Sequence, residues 1–363
     1  SLAGAADFMV DGVYVSLKRN GHLRGCCGFT GSTVPLWRGL QFAAERTAVE
    51  DTRMPPVSTS ELPYLDVEVW LLGGLMPVNV TGPDRVQQIK VGRDGLLIQR
   101  GNQRGLLLPG VAVDNGWDET NFLRQICIKA QLPPTAWREP DTVLQRFEGL
   151  VVKGPLPAVR EQSFVSILPN NAIDALAEFS RGNIRAFAAR RLPNYYVTAV
   201  EDGNVNGVIV TASNEEGRRL NAAKVATRRT MPLQSTLFEL SQEIAESIVR
   251  LGLDANRFQI DVAVLEDPAM HGTTRQPDTR GIDAKRGLFA MGPNQSWAFH
   301  YQAKDGDQSQ LDELSSLLAM RPDQQASLLS FHCNASADMS AANRVHPQPG
   351  DTERPPAVAG KFY

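Results

Sequence analysis

The chain has 363 residues, more than one ordinary domain, so two domains are the natural expectation. A formal net charge of −3 with 42% apolar residues argues against a dominant nucleic-acid or anionic-membrane role and for ordinary packed cores. No apolar run approaches the roughly 20 residues of a membrane span, and no signal peptide is visible.

Val13-Tyr14-Val15-Ser16-Leu17-Lys18 alternates apolar and polar residues, as a half-buried strand does. Asn20-Gly21 then favours positive φ at both turn positions and predicts a tight hairpin. A two-residue loop pairs Arg19 with His22, Leu17 with Arg24 and Val15 with Cys26. On that register Arg24 and Cys26 share the covered face with Val13, Val15 and Leu17, and Cys27 points the other way, beside Tyr14 and Ser16. A one-residue slip reverses the assignment.

The run Leu23-Arg24-Gly25-Cys26-Cys27-Gly28 joins a cation, a thiol and two glycines. An arginine on a covered face needs an anionic partner, because desolvation is otherwise costly. A guanidinium beside a thiol favours the thiolate, which is the reactive form. Gly25 and Gly28 let another backbone or a ligand come close. The plainer reading is a buried structural cysteine next to a paired arginine. The other cysteines are Cys127 and Cys333. No CxxC or Cys/His zinc spacing occurs, and the histidines form no HxxxH or HExxH pair, so no metal site is supported. The cysteine usage reads as that of a reducing, cytoplasmic chain.

Pro35 opens a predicted helix to about Asp51, with Leu36, Leu40, Ala43, Ala44, Thr47 and Ala48 as its buried stripe. Asp51-Thr52-Arg53-Met54-Pro55-Pro56 ends it abruptly. Leu65 to Leu71 alternates as a strand, with the odd positions apolar. Val91 to Gln99 and Gly105 to Pro109 read as two further strands around a glycine-containing turn. Asp118 caps a helix to about Ala130 with Phe122, Ile126, Cys127 and Ala130 on one face, which makes Cys127 a core residue.

These residues carry a family resemblance. Gly12-Val13-Tyr14-Val15, Leu23 to Gly28, Asp51 to Pro56, Glu61-Leu62-Pro63, Asp66-Val67-Glu68-Val69, Val91 to Gly95, Arg104 to Pro109, Gly116-Trp117-Asp118 and Leu132-Pro133-Pro134 resemble the AMMECR domain family. The nearest subgroup is protein A of the AmmeMemoRadiSam system. The resemblance implies an α+β fold, an antiparallel sheet with flanking helices, and a cleft beside the Leu-Arg-Gly-Cys motif. Cys27 stands where the family usually has Ile, and Met54 where it has Phe. The helix that normally precedes the first strand is missing, consistent with a cropped start. The family has no settled reaction, so the resemblance supplies neither chemistry nor cofactor.

On this reading Cys26 is the candidate nucleophile or redox thiol, and Arg24 stabilises the thiolate or holds an anionic group. Asp51 and Arg53 are the preferred additional candidates, and Asp51, Glu61 or Glu68 supplies an acid, a base or an anchor for Arg24. The bland alternative is that Asp51 and Arg53 merely fix a helix exit. His22 sits at a hairpin end and reads as exposed, so a Cys-His hydrolase has weak support. The competing role is a non-catalytic binding or scaffold module.

The second half contains an echo. Gly207-Val208-Ile209-Val210 repeats Gly12 to Val15, and Asp261-Val262-Ala263-Val264 repeats Asp66 to Val69 at the same separation. Pro232-Leu233 opens a helical stretch where Pro35-Leu36 does, Arg286-Gly287-Leu288-Phe289 matches Asp94-Gly95-Leu96-Leu97, and Asn171 to Arg190 reads as an amphipathic helix. Arg219 to Lys224 stands where Leu23 to Gly28 should, without thiol or paired glycines. The expected organisation is an AMMECR-like domain over 1–150, a degenerate copy over 160–333, and a solvated linker over 334–353. Residues 354–363 resemble the opening of a Memo-family domain, which makes such a domain, and with it a radical-SAM protein, the expected partners. Arg218, Arg219, Lys224, Arg228 and Arg229 form a basic run, read as a solvated surface rather than a nucleic-acid site.

Overall fold

Asn20 and Gly21 take φ of 49° and 79°, the two left-handed positions of a tight hairpin turn, in this computed structural model. It joins β1 (Met9–Arg19) to β2 (His22–Pro35). The structure describes residues 4–156, 164–169, 171–292, 296–303, 308–321, 324–336 and 343–345. They divide into two units, one holding the residues up to Asp51 with Asp66–Pro155, the other holding Thr52–Leu65 with the residues from Leu156 onward. The family-like span therefore gives residues 52–65 to the second unit, a division that the simple boundary near residue 150 does not contain.

In the first unit the hairpin is followed by α1 (Leu36–Val49), β3 (Leu65–Leu72), β4 (Met76–Pro77), β5 (Asp94–Arg100), β6 (Gln103–Leu107), α2 (Pro109–Asp114), α3 (Glu119–Lys129) and β7 (Val143–Pro155). The sheet is antiparallel, ordered β2-β1-β3-β7-β5-β6 with β4 beside β7. Helix α1 covers Val10, Val13 and Val15 with Leu36 and Ala43. Its buried residues are Leu36, Gly39, Ala43 and Thr47, whereas Ala44 is exposed and Leu40 and Ala48 are half-buried, so the apolar stripe of the sequence is wider than the face that meets the sheet. Asp118 caps α3 by accepting from the Asn121 N–H, and Phe122, Ile126 and Cys127 are fully buried beneath it.

In the second unit come α4 (Ala172–Ala188), β8 (Asn204–Val205), β9 (Gly207–Ser213), β10 (Arg219–Val225), β11 (Met231–Pro232), α5 (Leu233–Arg250), β12 (Gln259–Thr273) and β13 (Gln276–Pro277). They are followed by β14 (Arg286–Met291), β15 (Trp297–His300), α6 (Gln308–Leu317), β16 (Ser327–Ala335) and β17 (Asn343–Val345). Its main sheet is ordered β10-β9-β12-β16-β14-β15-β17. Apart from β17 this is the order of the first sheet. The helices fall at the same points as well, α1 and α5 after the first hairpin, α3 and α6 before the returning strand. The fold is thus α+β, with two antiparallel sheets, each flanked by helices. Helices α4 and α5 bury Leu176, Ile184, Leu240 and Ile244 with Val208, Val210, Val262 and Val264.

Two expectations change. The span 334–353 is not linker throughout, because β16 runs to Ala335 and β17 pairs with β15. The Memo-like residues 354–363 lie outside the described residues.

Candidate functional site

The hairpin register sets the site. Arg19 pairs with His22 and Lys18 with Leu23, as the two-residue turn requires, but Leu17 then pairs with Gly25, Ser16 with Cys26 and Val15 with Cys27. Arg24 is the extra residue of a β-bulge, and the bulge flips the alternation beyond it. Cys26 therefore lies on the face of Ser16, not with Val13, Val15 and Leu17. Cys27 takes the α1 side, where its N–H donates to Thr47 Oγ1 at 3.0 Å.

Cys26 is half-exposed and is held from two directions. The Ser16 hydroxyl donates to its sulfur at 3.1 Å. Its backbone N–H donates to Asp51 Oδ2 at 2.9 Å. Asp51 sits just beyond the end of α1, and Thr47 in the last turn of that helix lies close to Val15 O, Cys27 O and Cys27 N. Helix and hairpin are thus joined at the thiol. Arg24 is buried, with 3% of its surface exposed, so it does not extend into solvent.

The two glycines of the motif are approached by the protein's own chain. A Cβ on Gly28 would lie 2.1 Å from Val13 O and 2.6 Å from Tyr14 Cα, and one on Gly25 would lie 2.9 Å from Thr47 O. Tyr14 stands across the hairpin from Gly28. Burial, then the charge of Cys26, pushes its phenol above the ordinary value. Glu68 is buried on β3, accepting from Lys18 Nζ at 2.9 Å, Lys153 Nζ at 3.0 Å and the Trp70 indole at 2.5 Å. Burial pushes its carboxyl up, but these three donors outweigh burial and hold it below the ordinary value.

Arg53 and Glu61 belong to the second unit. Glu61 is fully buried and accepts from the Ser58 N–H at 3.1 Å, the reciprocal half of a capping box. His22 is exposed at the hairpin end. Cys127 is buried in the first unit, and burial pushes its thiol up to about 11. Cys333, half-exposed as a residue, has its thiol pushed up to about 12 by burial. A groove of about 940 Å³ in the second unit is lined by Asp174, Arg181, Arg185, Glu216, Arg257 and Asp261 among others. Within it Arg257 pairs with Glu216 at 3.3 Å and Arg181 with Glu178 at 2.7 Å, so much of its charge is already balanced. Sequence reading missed Ser16 as the partner of Cys26, and missed Thr47 as more than a stripe residue. Only a polar residue on an otherwise apolar helix face gave a signal for the latter.

The hairpin of the second half lacks the bulge. Ala222 pairs with Val210, Asn221 with Thr211, Leu220 with Ala212 and Arg219 with Ser213 without interruption. In register, Asn221 stands where Cys26 does and Ala223 where Gly28 does, and Arg24 has no counterpart. The six-for-six alignment of Arg219–Lys224 with Leu23–Gly28 fails for that reason.

Fold and site together define an α+β protein carrying a thiol at the bulge of its first hairpin. Residues 9–152 match the AMMECR1 family model. Protein TK0174 of Thermococcus kodakarensis is 47% identical over 153 residues, covering 40% of this chain and 74% of that protein. A protein of Methanothermobacter thermautotrophicus is 45% identical over 141 residues, covering 39% and 73%. The crystal structure of the uncharacterized protein PH0010 from Pyrococcus horikoshii shares 38% identity, covering 44% of this chain and 82% of that one, with a TM-score of 0.40. The chain belongs to the AMMECR1 family.

Proposed function

We propose that the first unit performs thiol-dependent chemistry at Cys26. The observation that carries this reading is the double hold on that residue. A hydroxyl donates to the sulfur while a carboxylate fixes the backbone, in a half-exposed position. A donor to sulfur favours the anionic, nucleophilic form. Ser16 then stabilises charge on sulfur, Asp51 positions the strand, and Arg24 holds an anionic part of the substrate. Arg53 and Glu61 are secondary candidates on the family motif. The second half serves as a degenerate, thiol-free copy of the first, a reading supported by the common strand order. A Memo-family domain in the same full-length chain and a radical-SAM protein are the partners that the resemblance of residues 354–363 suggests.

The test is the pH dependence of iodoacetamide labelling at each cysteine, read by mass spectrometry on the native protein. Fast labelling at Cys26 with a midpoint well below the ordinary value near 8.5 supports the reading. Labelling of Cys26 only after unfolding sinks it.

A second reading, a non-catalytic binding or scaffold module, is favoured by a different observation. The close approaches at Gly25 and Gly28 are made by the protein's own backbone, and Asp51 accepts from a backbone N–H. Under it Cys26→Ser retains partner binding, whereas Arg24→Met loses it.

A further inference from the structure

Residues 52–65 lie within the span matched to the family, yet they cluster with the second half of the chain. Three independent holds keep them there. The first is apolar. Met54 is 3% exposed and belongs to the cluster of Ile209, Ala263, Leu265, Phe289 and Phe331. The second is polar. Ser58 Oγ donates to Asp267 Oδ2 at 2.8 Å, and Arg286 Nη1 donates to the same oxygen at 2.8 Å. The third is steric. A Cβ on Gly281, at φ +82°, would lie 2.5 Å from Tyr64 Cε2 and 3.0 Å from Ser60 O, and the Arg280 guanidinium lies 5.4 Å from the centre of the Tyr64 ring.

The receiving side is held by hydrogen bonds of its own, made without the segment. Asp267 takes a left-handed φ of 49° within a register shift of β12 between Glu266 and Ala269. Behind it Arg286, 3% exposed, donates to the Asp267 carbonyl and, through Nε, to Ser330 Oγ at 2.8 Å. Ser330 Oγ lies 2.7 Å from His271 Nε2, and His271 Nδ1 lies 2.9 Å from Asp278 O. Asp278 in turn grips Arg280 with both carboxylate oxygens, each at 2.7 Å. One polar chain, buried from Arg286 to Asp278 and ending in the exposed Arg280, therefore connects the Ser58 acceptor to the Tyr64 contact. The incoming segment is also stiff, with Pro55, Pro56 and Pro63 and the Ser58–Glu61 capping box limiting its free conformations.

This chemistry has no counterpart in the first sheet. Arg286 opposes His332 next to the Gly287–Phe331 pair, as Asp94 opposes Glu148 next to the Gly95–Phe147 pair, so the charge at the matching position is reversed. The 153 matched residues make up 74% of the Thermococcus kodakarensis protein, which leaves no room there for a second half of this size.

We propose that the second half of the chain is a docking module whose ligand is the proline-rich segment 52–65 of the family domain. Having lost the thiol motif, it has gained the Asp267–Arg286 acceptor that seats Ser58. By holding this segment it fixes the path of the chain beyond Asp51 and the placement of Arg53 and Glu61. The proposal goes beyond the thiol reading and does not depend on it.

The test is limited trypsinolysis of the full native chain, with cleavage after Arg53 and after Arg250 quantified by mass spectrometry. Cleavage of a transiently opened segment follows its opening equilibrium. Loss of a hydrogen bond to a charged acceptor is expected to raise the rate after Arg53 about tenfold in Ser58→Ala, and further in Asp267→Asn, with the Arg250 rate unchanged. Should Asp267→Asn unfold the second unit, Ser58→Asp still decides, since it keeps the Asp267–Arg286 pair and a capping acceptor but cannot donate to Asp267. An Arg53 rate unchanged in Ser58→Ala, or one that rises only in step with the Arg250 rate, overturns the proposal. Neither outcome requires Cys26 to react, so the two readings fail separately.

Discussion

Thr211 Oγ1 donates to Asn221 Oδ1 at 2.9 Å, the relation across the second hairpin that Ser16 bears to Cys26 across the first. The second hairpin thus holds an Asn at the register position of the thiol. Cys26→Asn is the substitution that the second half already tolerates. We expect it to fold with a Tm within a few degrees of the parent and to lose the fast-labelling thiol. A melt lowered by about 10 °C or more would mean that the two hairpins are not interchangeable at this position.

Buried Asp51 accepts the N–H of the half-exposed Cys26. In Asp51→Ala that donor loses its partner, which costs about 1–3 kcal/mol. Chemical denaturation is expected to show this loss with an unchanged m-value. Asp51→Asn keeps an acceptor oxygen and is expected to recover part of it. Equal losses in both variants would place the importance of Asp51 in its charge.

Glu68 supplies a pH dependence. Its carboxyl is held below the ordinary value of 4.5 in the folded protein, because donors from Lys18, Trp70 and Lys153 outweigh burial. A depressed carboxyl contributes stability that is present above the unfolded value and is lost as pH falls through the folded one. Melts between pH 6 and about pH 3 are expected to show a steeper loss for the parent than for Glu68→Gln. Parallel curves would remove Glu68 from the acid response.

Gly28 meets backbone on the far side of its Cα, not a flexible side chain that can swing away. Gly28→Ala is expected to separate β1 from β2 and destabilise by several kcal/mol, at the upper end for single substitutions. Circular dichroism melts check this. A mild effect would mean that the hairpin yields enough to relieve the 2.1 Å between a Cβ at position 28 and Val13 O.

Cys127 and Cys333 have thiols pushed up to about 11 and about 12 by burial. At pH 8 neither is expected to label in the native state, while both label in denaturant. Early labelling of either would show that its part of the core opens readily.

Local chemistry made much of this legible. Asn20-Gly21 gave away the hairpin because few other dipeptides take two positive φ values. Asp118 gave away α3, and Cys127 its burial. The phase of β2 was not legible, since the bulge leaves Arg24 unpaired and no turn residue beside it marks the shift. The Leu40-Ala44-Ala48 stripe misled because apolarity marks what a helix is able to bury, not what the sheet below reaches. The allegiance of residues 52–65 depends on Asp267 and Arg286, more than two hundred residues away, and no local pattern announces such a contact.

The bulge makes Arg24 a passenger in the pairing of its own hairpin. Lys18 meets Leu23 and Leu17 meets Gly25, with Arg24 unpaired between the two couples. The uninterrupted second hairpin shows what the strand looks like without it. A single in-frame codon therefore separates a hairpin that carries the guanidinium from one with the register of the second. Deleting residue 24, rather than replacing it, is expected to separate the cation from the cysteine and to leave the uninterrupted pairing that the second hairpin has.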